Sequence, residues 1–218
     1  MTKLVPNRFL MALEFPLPHR PRPPRVDGDL KDWTARERLP ALDALDGRTP
    51  FAELWACWNE RGLWIACRVR GRRGPLRCDP RRFWKGDNLR LCLDMRDARS
   101  NRRATRYCRQ FFFLPVGGGR SGREPVAGVN PIKRAREEPP PVPVERIEVA
   151  SRVQRDGYGL EAHLPAECLY GFDPESHPRI GWYHIVEDVE QGQQYLTVGD
   201  DLYWYVDPST WATAVLTR

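Results

Sequence analysis

Phe83-Trp84-Lys85-Gly86-Asp87 runs directly into Asn88-Leu89-Arg90-Leu91-Cys92-Leu93-Asp94-Met95. Leu89, Leu91, Leu93 and Met95 alternate with Asn88, Arg90, Cys92 and Asp94, which is the period of a strand with one buried face. The pattern predicts a strand over 84–95 with a tryptophan, a glycine and an aspartate at its mouth. An indole face beside a hydrogen-bonding carboxylate is sugar-site chemistry, because a pyranose offers C–H faces and hydroxyls together. The same residues also suit a plain strand start anchored by a tryptophan. Residue types alone leave both readings open.

Working outward, the strand signals repeat. Glu53 to Trp58 and Leu63 to Val69, joined by Asn59-Glu60-Arg61-Gly62, read as a hairpin. Residues 70–82 read as a basic loop. Thr105 to Leu114 reads as a buried strand, and further candidates lie at 147–153, 158–164, 180–189, 195–198 and 211–216. Asp156-Gly157 supplies a turn, and Pro165 to Leu169 one helical turn. The pattern predicts an all-β fold, a single β-sandwich of immunoglobulin-like or jelly-roll-like form. Residues 1–25, punctuated by Pro16, Pro18, Pro21, Pro23 and Pro24, read as an extended N-terminal arm and 26–218 as the sandwich. Residues 115–143, with three consecutive glycines and later three consecutive prolines, read as an inserted loop.

The 218 residues, with 41% hydrophobic content and eight tryptophans, can bury one sizeable core. Trp33, Trp55, Trp64, Trp182 and Trp211 are assigned to it. No apolar run reaches ~18 residues, which excludes a membrane-spanning helix. The six cysteines form no C-x-x-C, so no zinc site is predicted. Four of them lie in strand candidates as small hydrophobes. The apolar patch from Phe9 to Leu13 is cut off by Glu14 and Pro16, too short for a secretory leader. The expectation is a reduced, cytoplasmic protein, with an exported form as the alternative.

The net charge of +6 hides an asymmetry: residues 68–136 hold 20 Lys/Arg against 5 Asp/Glu. Such a block could attract a protein or polyanion partner. Its arginines are scattered over strands and loops without a nucleic-acid motif, so nucleic acid is not the expected partner.

Four blocks in order carry a family resemblance over residues 26–216. They are Val26-Asp27-Gly28-Asp29 with Trp33; the 54–69 hairpin with Gly62-Leu63-Trp64-Ile65-Ala66; Trp84-Lys85-Gly86-Asp87 with Leu93-Asp94; and a C-terminal set. That last set joins Gly157-Tyr158-Gly159-Leu160-Glu161-Ala162 to Ile180-Gly181-Trp182 and Asp207-Pro208-Ser209. The chain resembles the family 9 carbohydrate-binding modules and their DOMON-like relatives. The resemblance implies a non-catalytic β-sandwich whose saccharide is clamped between two aromatic rings. Trp84 stands at the first ring's position, and Tyr203, Trp204 and Tyr205 surround the second. Asp87, Arg90 and Gln110 are the candidate polar edge. The resemblance also implies an acid at position 90 and a base at position 112, where this chain has Arg90 and Phe112.

No catalytic residues are predicted. Asp87 and Asp188 could act as a glycosidase pair only if they converge, and the four histidines lack a nucleophile partner in any motif. No cofactor is expected. Family members often hold structural calcium, for which Asp27 and Asp29 are the candidates, with turn and cap roles as their alternative. A different reading of the same fold is a protein-interaction or polyanion-binding module using the basic 68–136 region.

Overall fold

A computed structural model describes residues 12–218. Two sheets pack face to face. The larger contains β1 (Glu14–Pro18), β4 (Asn88–Asp94), β5 (Cys108–Gly118), β6 (Glu124–Asn130), β9 (Arg179–Asp188), β10 (Gly192–Tyr195) and β11 (Ala212–Thr217), in the order β1-β11-β9-β4-β5-β6 with β10 also paired to β9. The smaller contains β2 (Ala52–Asn59), β3 (Gly62–Arg70), β7 (Glu148–Gln154) and β8 (Gly157–Pro165), in the order β2-β3-β8-β7. Every pairing between these strands is antiparallel except β1 with β11. The all-β sandwich is as the sequence predicts, and no described helix is long and apolar enough to cross a membrane.

The core forms where the inner faces meet. Leu54, Ile65, Leu160 and Leu164 of the smaller sheet pack with Leu89, Leu91, Phe111, Phe113 and Trp182 of the larger. Each such side chain taken out of water contributes about 1.5–3 kcal/mol before entropy is counted. All five tryptophans assigned to the core are buried, and Trp58 and Trp204 join them.

Several boundaries differ from the sequence reading. β4 is buried on both faces rather than one. Its second face lies under the 131–135 and 196–211 segments, which place Val198, Trp204 and Trp211 against Cys92 and Tyr183. The strand predicted from Trp84 begins only at Asn88, because residues 80–85 are a 3₁₀ turn: the Asp79 carboxylate accepts from the Arg81 N–H, and Pro80 suits a first helical position. Residues 115–143 are not one loop, because β5 extends to Gly118 and β6 occupies 124–130. Ala127 and Val129 pack on the core, a pairing that the flanking glycines and prolines conceal. Within the predicted arm, β1 is a sheet edge, where Pro16 and Pro18 lack only donors that edges can spare; residues 1–11 lie outside the described residues. The predicted strand at 195–198 is instead β10 at 192–195.

The outer face of the smaller sheet is roofed by its own chain. Leu30 and Trp33 cover Trp55, Cys57, Trp64 and Ala66. Glu161 anchors the roof, accepting from the Trp33 indole at 2.7 Å and from the Asp27 and Gly28 amides. Gly28 has φ +78°, and a Cβ there would stand 2.7 Å from the Ser151 carbonyl carbon. Only glycine fits so close a passage.

Candidate functional site

The outer face of the larger sheet is built differently. Strand register sets three cross-strand rows on it: Asn130, Gln110, Cys92 and Tyr183; Gly128, Phe112, Arg90, Ile185 and Tyr195; and Asn88, Glu187 and Gln193. Alternation puts these side chains on one surface. The 80–85 turn and the 200–205 segment rise at its margins. Between them lies a cleft of about 430 Å³, within the range of small-ligand sites. Phe83, Trp84 and Tyr205 supply its rings, and Arg90, Gln110, Asn130, Lys133, Glu187, Gln193 and Asp200 its polar groups.

The rings are mutually braced. Phe112 and Phe83 stack at 4.1 Å, and Trp84 meets Phe83 edge-on at 5.3 Å. Gly128 makes the stack feasible, since a Cβ there would fall 2.2 Å from the Phe112 ring. Trp84 remains 47% exposed at the cleft, unusual for a side chain of its size. On the other margin, Trp204 is fully buried, stacks on Tyr183 at 4.7 Å and meets Tyr205 edge-on at 5.7 Å. The Trp204 indole N–H donates to Asp200 Oδ1 at 2.8 Å, and Trp204 O accepts from the Trp211 indole.

Six of the cleft's seven polar groups form three pairs. Arg90 donates to Glu187 Oε2, and its guanidinium lies 4.9 Å from the Trp204 ring centroid. Such cation–π contacts contribute about 0.5–2 kcal/mol. Asn130 donates to Gln110 Oε1, and Gln193 to Asp200 Oδ2 at 3.2 Å. Burial pushes the Glu187 carboxyl above the usual carboxylate range, while Arg90 pulls in the opposite direction. Fixed amide and ionic groups beside an open ring can orient hydroxyls by donating and accepting together.

The predicted ligand residues separate into four groups. Trp84, Arg90, Gln110 and Tyr205 line this one cleft. Trp204 lies beneath it as packing. Tyr203 is 60% exposed but borders the neighbouring depression. The 203–205 run occupies a turn rather than a strand, with Tyr203 left-handed at φ +54°. Asp87 does not reach the cleft. It is fully buried, accepting from Arg72 Nη1 at 2.7 Å, the Arg77 amide at 2.6 Å and the Val189 amide at 2.9 Å. Arg72 also joins Asp87 to Asp188, so the two carboxylates converge on a guanidinium inside the protein rather than on solvent. Asp27 Oδ1 accepts from the Asp29 amide, and the Asp29 carboxylate meets Lys31 and Arg152. Those bonds are turn chemistry on the opposite sheet.

Glu187, Gln193, Asp200, Asn130 and Lys133 escape the sequence reading. Glu187 lies within the predicted 180–189 strand, but only the β4–β9 register brings it to Arg90. Asn130 and Gln193 are likewise placed by register, in β6 and β10, and Lys133 and Asp200 by the paths of the connecting segments. Arg90 and Phe112 prove to be register partners. The charged pair of this face therefore runs from β4 to β9, with the base at 90 and the acid at 187. A second cavity, about 540 Å³, lies beneath residues 131–144. Its buried Arg109 donates to the carbonyls of Arg106, Cys108 and Pro140.

No protein-family profile matches the chain, and no curated protein sequence matches it significantly. Solved structures do. A family 9 carbohydrate-binding module from Caldicellulosiruptor kristjanssonii in complex with cellotriose superposes with a TM-score of 0.62, at 13% identity over 94% of each chain. A family 9 module from that organism in complex with glucose gives a TM-score of 0.61, at 13% identity, covering 94% of this chain and 96% of its own. The chain thus has the family 9 carbohydrate-binding fold.

Proposed function

We propose that this chain is a non-catalytic carbohydrate-binding module that holds a saccharide in the cleft between Trp84 and Tyr205. The observation that carries this reading is the half-exposed Trp84 ring, braced by Phe83 above a floor of paired polar side chains. A pyranose laid on the indole would gain C–H/π contact, while Arg90–Glu187, Gln110–Asn130 and Gln193–Asp200 would direct its hydroxyls. The shared fold supports the reading, since its neighbours are complexes with cellotriose and glucose. The locked Asp87–Arg72–Asp188 cluster favours binding over hydrolysis, because glycosidic cleavage needs carboxyls that reach the bond.

Titration with cellotriose, glucose and a broad glycan panel, followed by tryptophan fluorescence and calorimetry, tests this. Binding is expected for at least one saccharide, with affinity lowered at least tenfold by Trp84→Ala. Silence across the panel rejects the reading.

A further inference from the structure

Beside the cleft lies a second depression of about 500 Å³, lined by Arg102, Arg103, Arg134, Tyr203, Val206 and Asp207. We propose that it is an acidic-sugar subsite, which takes the carboxylate of a uronate unit in an oligosaccharide whose neutral neighbour occupies the Trp84 cleft. This inference rests on the saccharide reading above and extends it from a single unit to a charged chain.

Three observations lead there. The first is continuity. Lys133 lines the cleft and Arg134 the depression, while across from them Tyr205 lines the cleft and Tyr203 the depression. The Tyr203 and Tyr205 rings meet edge-on, with centroids 6.0 Å apart and an interplanar angle of 68°, so one aromatic pair borders both hollows. The two hollows are thus neighbours along the same two segments.

The second is charge. In the cleft, Arg90 is matched by Glu187, and Asp200 is held by Gln193 and the Trp204 indole. In the depression, three guanidinium groups stand against the single carboxylate of Asp207. That carboxylate already accepts from the Ser209 amide and hydroxyl. Arg103 is fixed by its own donation to the Arg134 and Ala135 carbonyls, which holds the depression in shape. The exposed Arg102 and Arg134 lie at its edge. A guanidinium fork matches a planar carboxylate in two parallel bonds.

The third is backbone conformation. Only three non-glycine residues among those described have positive φ, and two of them, Arg134 at +59° and Tyr203 at +54°, border this depression. Left-handed non-glycine residues concentrate at ligand clamps, where an otherwise unfavourable conformation aims a side chain. Here the conformation leaves the Tyr203 ring 60% exposed beside the arginines. An aromatic face for the sugar ring and a fork for its carboxylate then coincide. A nucleic acid would instead need a longer basic track with several stacking rings.

The test is calorimetric titration of the full chain with cellotriose and with cellotriose oxidised at one C6 to a glucuronate. The oxidised sugar is expected to bind about tenfold tighter at low salt, as a charge-assisted bidentate contact warrants. Moderate salt should shrink that advantage, and the Arg102→Gln/Arg134→Gln double variant should erase it. Trp84→Ala should weaken both sugars. Equal binding of the two sugars by the unaltered chain overturns the subsite and leaves the saccharide reading standing. Binding of neither overturns the subsite, and silence across the wider glycan panel as well overturns the saccharide reading. Retention of single-stranded DNA that ignores Trp84→Ala, with no preference for the uronate, assigns the arginines to a polyanion and also overturns the proposal.

Discussion

Trp33 and Trp84 are both indoles set on an outer face of the sandwich with carboxylates close by, yet one is buried and the other open. Over the smaller sheet, residues 26–33 fold back and Glu161 accepts three donors from them, among them the Trp33 indole. Trp64 is stacked on His163 at 4.0 Å and approached by Arg61. Both Glu161 oxygens have donors from the roof, and His163 Nδ1 pairs with Glu148 at 3.0 Å. Over the larger sheet, residues 131–135 and 196–211 cover only part of the face, and the uncovered remainder is the cleft. The lesson concerns coverage rather than composition. An aromatic ring beside an acid becomes a candidate site only where the chain leaves it without a lid.

The largest expected effect separates the interior from both faces. Asp87→Ala strips Arg72 of one buried partner and the Arg77 and Val189 amides of their acceptor. It should cost about 3–5 kcal/mol in urea denaturation. A cost below 1 kcal/mol would return Asp87 to the list of residues free for a ligand. Next, Trp33→Ala should cost about 3 kcal/mol, because it opens a space beneath the roof and orphans a Glu161 oxygen. A neutral result would mean that the roof is dispensable and the two faces are alike.

A third effect concerns pH. Burial holds the His184 imidazole down to about 3, and its Nδ1 accepts from the Trp182 indole at 3.1 Å. The folded state therefore refuses a proton that the unfolded chain takes near 6.5. This contribution to stability is complete above that value and declines as pH falls, by about 1.4 kcal/mol per unit toward 3. Glu161 and Glu187, both raised by burial, act with opposite sign: their contribution is lost as pH rises from 4.5 through their folded values. Subtracting the profile of His184→Gln isolates the histidine. An unchanged profile between pH 6 and 4 would refute the assignment. The smallest effect falls on Trp84→Ala, which should change stability by less than about 0.5 kcal/mol while removing saccharide binding. A large loss of stability would make Trp84 a packing residue like Trp33.

The sandwich was legible because buried strands write their alternation into the sequence, as Leu89, Leu91 and Leu93 do. The burial of Arg90 and Cys92 on the opposite face was not legible, since it depends on where the 196–211 segment travels. The same limit applies to the site. Trp84, Arg90 and Gln110 were accessible from strand position and resemblance, and Tyr205 from spacing. Asp87 looked like a ligand group because its position in the motif is preserved, but a carboxylate at a strand mouth serves equally well as an acceptor for backbone amides. Glu187 was hidden by register, which no local pattern reveals. Trp204 and Tyr205 are adjacent in sequence, yet one is buried against Tyr183 and the other lines the cleft, a division that no local pattern reveals.

Gly128 gives the Trp84 ring a remote control. It lies on an edge strand and does not line the cleft, yet its missing side chain is the seat for Phe112, which seats Phe83, against which Trp84 leans. A single methyl group at position 128 would push along that relay of rings and reposition the indole two contacts away. On the proposed saccharide reading, preference among sugars is open to retuning, in evolution or by engineering, through a residue that does not line the cleft.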